Sequence, residues 1–441
     1  MKTIAGGGEK ICRLLGKQSV RDREYRLLKY LLCVEIEEGL LLKNMITGRV
    51  VLLNSEEESH LATLPVKPDD VLKPLIEDFF LVPMDYDEKE TVRVLRALME
   101  RLFPVAGINA YMILPTTNCN AGCAYCFEQN VSRSNMSPET AQRAADYISE
   151  KKGPGPVSIH WFGGEPLLGS EQIDVICSRL KERNIEFSSI MTSNGYLFDE
   201  RTVEKAVSEW KLRQVQITLD GTEQNYNAIK SYRGAPGSPY KKVLNNISFL
   251  LEKGVEVRLR LSLTSGNGKD LSRLIDELEN RFSDSCKLYP YIGIVSEAPY
   301  NDTCGWEGLS PEHVQEFQAL TDRIEKIWPS KTAMNGLQTT KCMADYDGSV
   351  VIMPDGSLLK CENIADGDAF GSIYSEQQDP AKRLKYKEKM EFDRCGDCPL
   401  YPGCILLKEC IPARRINETY CKYLVEFSKK KLSGELRGQI L

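Results

Sequence analysis

Between residues 106 and 295, short apolar runs alternate with longer amphipathic stretches, and this rhythm limits what the chain can fold into more than any other feature. The runs YMILP (111–115), VSIHWF (157–162), SSIMT (188–192), VQITL (215–219), VEVRLRLSL (255–263) and LYPYIGIV (288–295) have the length and composition of strands. The intervening SEQIDVICSRLKERN, ERTVEKAVSEW, YKKVLNNISFLLEKG and KDLSRLIDELENRF read as helices. Ser137-Pro138-Glu139 reads as an N-cap with proline at the first helical position. Strand–helix units in series imply an α/β fold built on a parallel sheet, open or curled into a partial barrel. The active site of such a fold sits at the C-terminal ends of the strands.

The flanks do not share this rhythm. In residues 1–105, LLCVEIEEGLLLKN (31–44) and GRVVLLN (48–54) read as strands joined by a turn around Met45–Gly48. Three helix-like stretches follow, with Ser55 and Asp69 as N-cap candidates. Strands followed by helices suggest a small α+β module of winged-helix size. Residues 306–441 hold many Gly and Pro turns and few apolar runs, so this stretch needs metal to fold. The expected organisation is therefore three domains, 1–105, 106–305 and 306–441.

Fifteen cysteines and only three histidines sharpen the reading. Cys12, Cys33, Cys177, Cys286 and Cys304 are scattered and read as small buried hydrophobes. The rest fall in two runs, Cys119–Cys126 and Cys342–Cys421. No export signal is seen, so the expected location is the reducing cytoplasm, where clustered cysteines bind metal or do catalysis. His60, His160 and His313 are too few for a His-rich zinc site or a Ser-His-Asp hydrolase. A net charge of -6 lacks the basic footprint of a nucleic-acid binder. No apolar run has the roughly 18 residues of a membrane span.

Cys119-Asn-Ala-Gly-Cys123-Ala-Tyr-Cys126 directly follows the first strand. Three thiolates are one short of a closed cluster, so a cubane held by them leaves one iron open to a ligand; a three-cysteine zinc site is the alternative. This C-x3-C-x2-C spacing, with Tyr125 before the last cysteine, resembles the signature of the radical S-adenosylmethionine (SAM) superfamily. The resemblance implies a partial (β/α)6 TIM-like barrel whose open iron chelates the amino and carboxylate groups of SAM. It further implies cleavage of SAM to a 5'-deoxyadenosyl radical that abstracts hydrogen from substrate, with the protein supplying orientation and exclusion of water. Gly163-Gly164-Glu165-Pro166 after the second strand resembles the family's GGEP motif, which contacts the SAM amino group. Ser193 and Asn194 stand where family members contact the SAM ribose, and Asp220 of Leu219-Asp220-Gly221 matches a segment near the SAM site. Ser265–Lys269 lacks the full phosphate-loop pattern and reads as a turn.

The second run, Cys342, Cys361, Cys395, Cys398, Cys404, Cys410 and Cys421, resembles the SPASM extension of radical SAM maturases, with a zinc ribbon as the alternative. The resemblance implies two auxiliary [4Fe-4S] clusters, hence three in all. Cys342, Cys361 and Cys410 would hold one, and Cys395, Cys398, Cys404 and Cys421 the other. Cys410 follows Cys404 at a longer interval than the family pattern. The region is one thiolate short of the about eight that two cubanes want, so either Cys304 completes the set or one iron stays open. Glu362 occupies the place of a base in sulfatase maturases.

These resemblances imply a peptide-modifying oxidoreductase. The N-terminal module would bind the leader of a ribosomally made precursor peptide by strand addition, and a small electron-transfer protein would serve as reductant. The product would be an intrapeptide thioether or carbon–carbon cross-link. Two alternatives stand beside it: an anaerobic sulfatase maturase forming formylglycine, and a zinc-binding interaction protein.

Overall fold

A computed structural model describes residues 1–129, 131–295, 310–329, 336–363, 368–410 and 416–440; Cys304 lies outside them. The chain forms two compact units, Met1–Pro104 with Lys331–Lys341 and Lys387–Leu441, and Val105–Ser330 with Cys342–Tyr386. Among the described residues no helix is long and apolar enough to cross a membrane.

In the larger unit, strands β1 (Ala110–Thr116), β2 (Val157–Gly163), β3 (Phe187–Ser193), β4 (Leu212–Leu219), β5 (Glu256–Leu263) and β6 (Leu288–Ile294) lie side by side in chain order. Every adjacent pair is parallel. All coincide with the apolar runs read from the sequence. They are joined through helices α1 (Pro138–Lys151), α2 (Ser170–Glu182), α3 (Glu200–Ser208), α4 (Glu223–Lys230), α5 (Pro239–Glu252) and α6 (Gly268–Phe282). Ser137 caps α1 by accepting from the Thr140 amide. This is an α/β fold with the parallel sheet of a partial TIM-like core.

Alternation along each strand divides the sheet into two environments. Ile113, Trp161, Met191, Ile217, Leu259 and Ile292 point into one core shared with helical residues such as Ala144, Ile176, Val203, Ile247 and Ile275. The opposite face differs along the sheet. At β1 it is apolar, with Met112 and Leu114 buried together with Val351 and Leu359. At β4 to β6 it carries Gln216, Arg258 and Tyr289 in one register row and Thr218, Arg260 and Tyr291 in the next.

Strand β7 (Ser349–Ile352) extends the sheet, pairing parallel to β1, and continues antiparallel through β8 (Ser357–Leu359) and β9 (Gly371–Ser372). The sequence reading places no strand here because each run is only a few residues long. The β7–β8 turn uses Gly356 at φ 85°, a left-handed conformation that favours glycine.

The smaller unit contains an antiparallel sheet ordered Lys2–Gly6, Arg49–Leu53, Gly39–Asn44, Leu31–Ile36. The expected single strand 31–44 is a hairpin, pairing Leu31 with Asn44 and Ile36 with Gly39. Polar Glu37 and Glu38 ahead of Gly39 at φ 134° break the run. The cap of the helix Ser55–Leu61 is Asn54 rather than Ser55: its side chain accepts from the Glu57 amide, and Glu57 returns the bond. Asp69 caps the turn before Lys73–Glu77, accepting from the Leu72 amide at 2.7 Å. The C-terminal helix Glu418–Ile440 belongs to this unit.

Ile217 is fully buried in the helix-facing core. Ile217→Ala is expected to lower the unfolding free energy by about 2–5 kcal/mol. Arg213→Ala, at an exposed position of the same strand, should change it by less than about 0.5 kcal/mol. Urea unfolding midpoints check both.

Candidate functional site

The loop leaving β1 is tied down before its cysteines begin. Thr116 Oγ donates to Asn135 Oδ1 at 2.6 Å and accepts from the Asn118 amide at 2.9 Å. Further along, Gly122 N donates to the Lys230 carbonyl at 2.8 Å, and Arg233 N to the Asn120 carbonyl at 3.1 Å. The loop is thereby stitched to the segment after α4. Cys119, Cys123 and Cys126 are half-buried in it. Burial pushes the Cys119 thiol up to about 11, with Cys123 and Cys126 close enough to add to the effect. Burial also raises Cys123, which Lys230 opposes, and Cys126.

The turn after β2 passes directly beneath this loop. A Cβ at Gly163 would lie 2.3 Å from the Thr116 carbonyl oxygen, and one at Gly164 2.3 Å from that of Asn118. These glycines therefore let the turn pack against the outgoing β1 chain. Glu165 N donates to the Asn118 carbonyl at 2.8 Å, and Pro166 opens a short 3-10 turn. The Glu165 side chain is fully buried, and this chain's own donors surround it. Ser193 Oγ donates at 2.9 Å, the Asn194 amide at 2.8 Å and the Leu167 amide at 3.2 Å. Burial pushes the carboxyl up to about 7 despite these bonds. Ser193 is thus engaged with Glu165. Asn194 Nδ2 reaches back to Asn120 Oδ1 at 2.7 Å and lies 3.9 Å from Cys119 Sγ.

Tyr125 joins the cysteine loop to β4. Its hydroxyl donates to Asp220 Oδ1 at 2.6 Å. Asp220 also faces Lys230 Nζ at 3.2 Å, with side-chain exposures of 1% and 5%. Burial works against the ammonium, but Asp220, Tyr125 and Cys123 outweigh it, and Lys230 titrates well above its ordinary range. Asp220 is therefore the counter-ion of a buried cation, and its Oδ2 lacks an aligned hydrogen-bond donor. Sequence reasoning missed Lys230 and Glu128. Glu128 is buried two residues after Cys126, with Oε1 unpartnered and its carboxyl raised by burial to about 7. Neither residue belongs to a motif that would have marked it.

The later cysteines are divided between the units. Cys342 and Cys361 fall in the larger one, where each sulfur accepts a backbone amide, from Ala344 at 3.3 Å and Asn363 at 3.4 Å. Burial raises the Cys361 thiol to about 12, helped by Glu362 and Cys342. Glu362 Oε2 lies 3.7 Å from Cys361 Sγ. In the smaller unit Cys395, Cys398, Cys404 and Cys421 lie within electrostatic reach of one another. Cys410 follows there, its amide donating to the Leu407 carbonyl at 3.0 Å.

Among the described residues no three His, Cys, Asp or Glu side chains converge as a single metal ion demands. A cubane distributes its thiolates over separate irons and accepts a wider triangle. Neighbouring thiols with an orphaned carboxylate oxygen and a buried cation beside them suit a charged cluster with an open corner.

Residues 113–278 match the Radical SAM superfamily and carry its domain; that superfamily consists of enzymes that use SAM and a [4Fe-4S] cluster. An uncharacterised protein of Methanocaldococcus jannaschii is 30% identical over 131 residues, 29% of this chain and 44% of its own length. The chain spans less than half the length of the first curated relatives it matches, 44% and 39%. Among solved structures, native anSMEcpe with bound AdoMet aligns with a TM-score of 0.56 at 17% identity, covering 73% of this chain and 96% of its own. Streptococcus suis SuiB bound to precursor peptide SuiA aligns with a TM-score of 0.50 at 15% identity, covering 86% and 94%. At these identities the likeness is one of fold.

Lys230→Met would strand a buried Asp220 carboxylate and is expected to cost about 3–5 kcal/mol. Adding Asp220→Asn should recover at least half of that, as urea unfolding of the three proteins checks. Glu165 has a folded pKa of about 7, above the roughly 4.3 of a free glutamate. Its contribution is therefore fully present below pH 4 and lost as pH rises through 7. Relative to Glu165→Gln, the wild type should lose up to about 3 kcal/mol between pH 4 and 8. Paired thermal melts at both pH values test this.

Proposed function

We propose that this radical SAM domain modifies a ribosomally made precursor peptide, joining two of its residues by a thioether or carbon–carbon bond. One observation carries the reading: a three-thiol loop interlocked with the Gly163–Pro166 turn and the Tyr125–Asp220–Lys230 network, in a chain that holds seven more thiols over 342–421. Cys119, Cys123 and Cys126 would hold the SAM-binding cluster. When bound, SAM and that cluster supply a carbon radical able to take a hydrogen atom from an unactivated C–H bond. The residues around them orient and enclose. Asn194 fixes the cysteine loop through Asn120, Glu165 fixes Asn194, and Lys230 places a buried positive charge beside Cys123.

Cys342, Cys361 and Cys410, and separately Cys395, Cys398, Cys404 and Cys421, are the proposed ligands of two auxiliary clusters. The second set is supported by the electrostatic influence of Cys404, Cys421 and Cys395 on the Cys398 thiol. Glu362 beside Cys361 is a candidate base for the substrate. The N-terminal sheet is the proposed leader-binding surface. The helix Glu418–Ile440 packs on its outer strand Leu31–Ile36, whereas the opposite outer strand, Lys2–Gly6, is largely exposed and suits strand addition. The peptide assignment draws support from SuiB, whose structure holds its precursor peptide SuiA. The setting would be a reducing cytoplasm with a small electron-transfer protein as donor.

Anaerobic reconstitution should give a brown protein with on the order of twelve irons per chain. With SAM, dithionite and its precursor peptide, the protein should form 5'-deoxyadenosine and a peptide lighter by two hydrogen atoms. Replacing Cys119, Cys123 and Cys126 together by alanine should abolish both products. A colourless zinc protein would overturn the enzyme reading. Formylglycine in a sulfatase-type peptide would move the assignment to that activity.

A further inference from the structure

The face of the sheet opposite the helix-packed core carries a feature that the cofactor motifs do not use. Those motifs all follow β1 to β4. The cationic residues on this face belong to β5. Arg258 and Arg260 alternate onto it, since Val257, Leu259 and Leu261 fill the helix-facing core. Their register neighbours on the same face are Gln216 and Tyr289 for Arg258, and Thr218 and Tyr291 for Arg260. Tyr291 Oη donates to Gln216 Oε1 at 2.9 Å, linking the two rows into a polar strip.

Arg260 is seated rather than merely exposed. A Cβ at Gly293 would lie 2.2 Å from Arg260 Nε, so the Arg260 side chain crosses β6 over the space that this glycine leaves open. Arg260 Nη2 then donates to the Ile294 carbonyl at 3.4 Å, at the C-terminal end of β6. Five guanidinium donors are present, and this one carbonyl leaves most of them unused. Among the described residues neither arginine has an ion-pair partner. The one carboxylate on the same face of β5, Glu256, pairs with neither. His160, also on this face, is held neutral, burial lowering it to about 4. Two cations thus stand together, and among the described residues no anion is paired with them.

We propose that Arg258 and Arg260 form a carboxylate-binding subsite that takes an acidic side chain of the substrate. This rests on the peptide reading of the preceding subsection and narrows it to peptides with Asp or Glu near the modified residue. A planar guanidinium matches a carboxylate bidentately, and two of them orient the chain as well as attract it. Thr218, in register with Arg260, lies two residues before Asp220. An acid held there anchors a substrate within the sheet, below the loops that bear the cysteines.

The test uses the reconstituted full-length protein with saturating SAM. Phenylglyoxal modification of Arg258 and Arg260 is mapped by mass spectrometry with glutarate, with glutaramide, or with neither. Capped nonapeptide libraries with a fixed central Glu or Gln are then measured for retention. Glutarate should slow modification where glutaramide does not, and the Glu library should be retained about tenfold better than the Gln library. Arg258→Gln/Arg260→Gln, with iron content matching wild type as the check on folding, should erase that preference. Arg258→Lys/Arg260→Lys should restore part of it. Glutarate protection without retention of either library keeps the subsite and overturns the peptide reading. Equal protection by glutarate and glutaramide overturns the subsite. Complete protection by SAM alone, before any glutarate is added, assigns the arginines to the cofactor's own carboxylate and also overturns it.

Discussion

Charge buried at the C-terminal ends of β2, β3 and β4 governs the arrangement of everything around it. Glu165, Asp220 and Lys230 are each almost wholly removed from water, a transfer that costs several kcal/mol per ion unless partners replace the lost solvent. The partners come from different segments. Ser193 and Asn194 close on Glu165 from β3 and its exit, and Tyr125 closes on Asp220 from the cysteine loop. Lys230 reaches the same carboxylate from the end of α4. None of these loops can move alone without opening a buried charge, so the three-thiol loop is held by electrostatics as much as by backbone bonds. A buried ion pair is a poor source of stability compared with apolar packing. Its presence fits a region where position matters more than stability.

The same constraint explains which parts of the molecule were legible in the sequence. The parallel sheet was, because helix-covered strands must be apolar at alternate positions, and Ile113, Trp161, Met191, Ile217, Leu259 and Ile292 obey that rule. The cysteine spacing was, because cluster ligands are few and chemically distinct. Lys230 was not, because a lysine in a helix is ordinarily a solvated residue, and its partner Asp220 lies ten positions back across a turn. The packing of Gly163 and Gly164 against the backbone of β1's exit was not legible either, because it joins segments far apart in the chain.

Short elements failed for a different reason. Strand β7 is four residues long, and the run 31–44 hides a turn at Glu37–Glu38 between two good strands. Periodicity needs several repeats to announce itself, and neither segment offers them. Strand β7 is fixed by its pairing with β1, from Ser349 opposite Ala110 to Ile352 opposite Ile113. That contact joins residues far apart in the chain, and local reading does not see it. The stretch 306–441 likewise reads as one metal-dependent domain, yet 342–386 packs with the sheet and 387–441 with the N-terminal residues.

The sheet also separates two tasks by strand. Every residue matching a cofactor motif ends or follows β1, β2, β3 or β4, while Arg258 and Arg260 sit on β5 beside the tyrosines of β6. The interlocked ends of the first four strands tolerate little change, since Asp220 and Lys230 compensate each other and Glu165 relies on Ser193 and Asn194. Among the described residues β5 and β6 carry no such knot on the face opposite the helix-packed core, where Arg258 is exposed and Arg260 lies over Gly293 with one bond to the Ile294 carbonyl. Substitutions there alter what the sheet can hold without unseating the groups that would generate the radical. A scaffold divided in this way would let β5 and β6 set what the sheet holds while the ends of β1 to β4 keep the three-thiol loop in place, which is the division that the proposed arginine subsite requires.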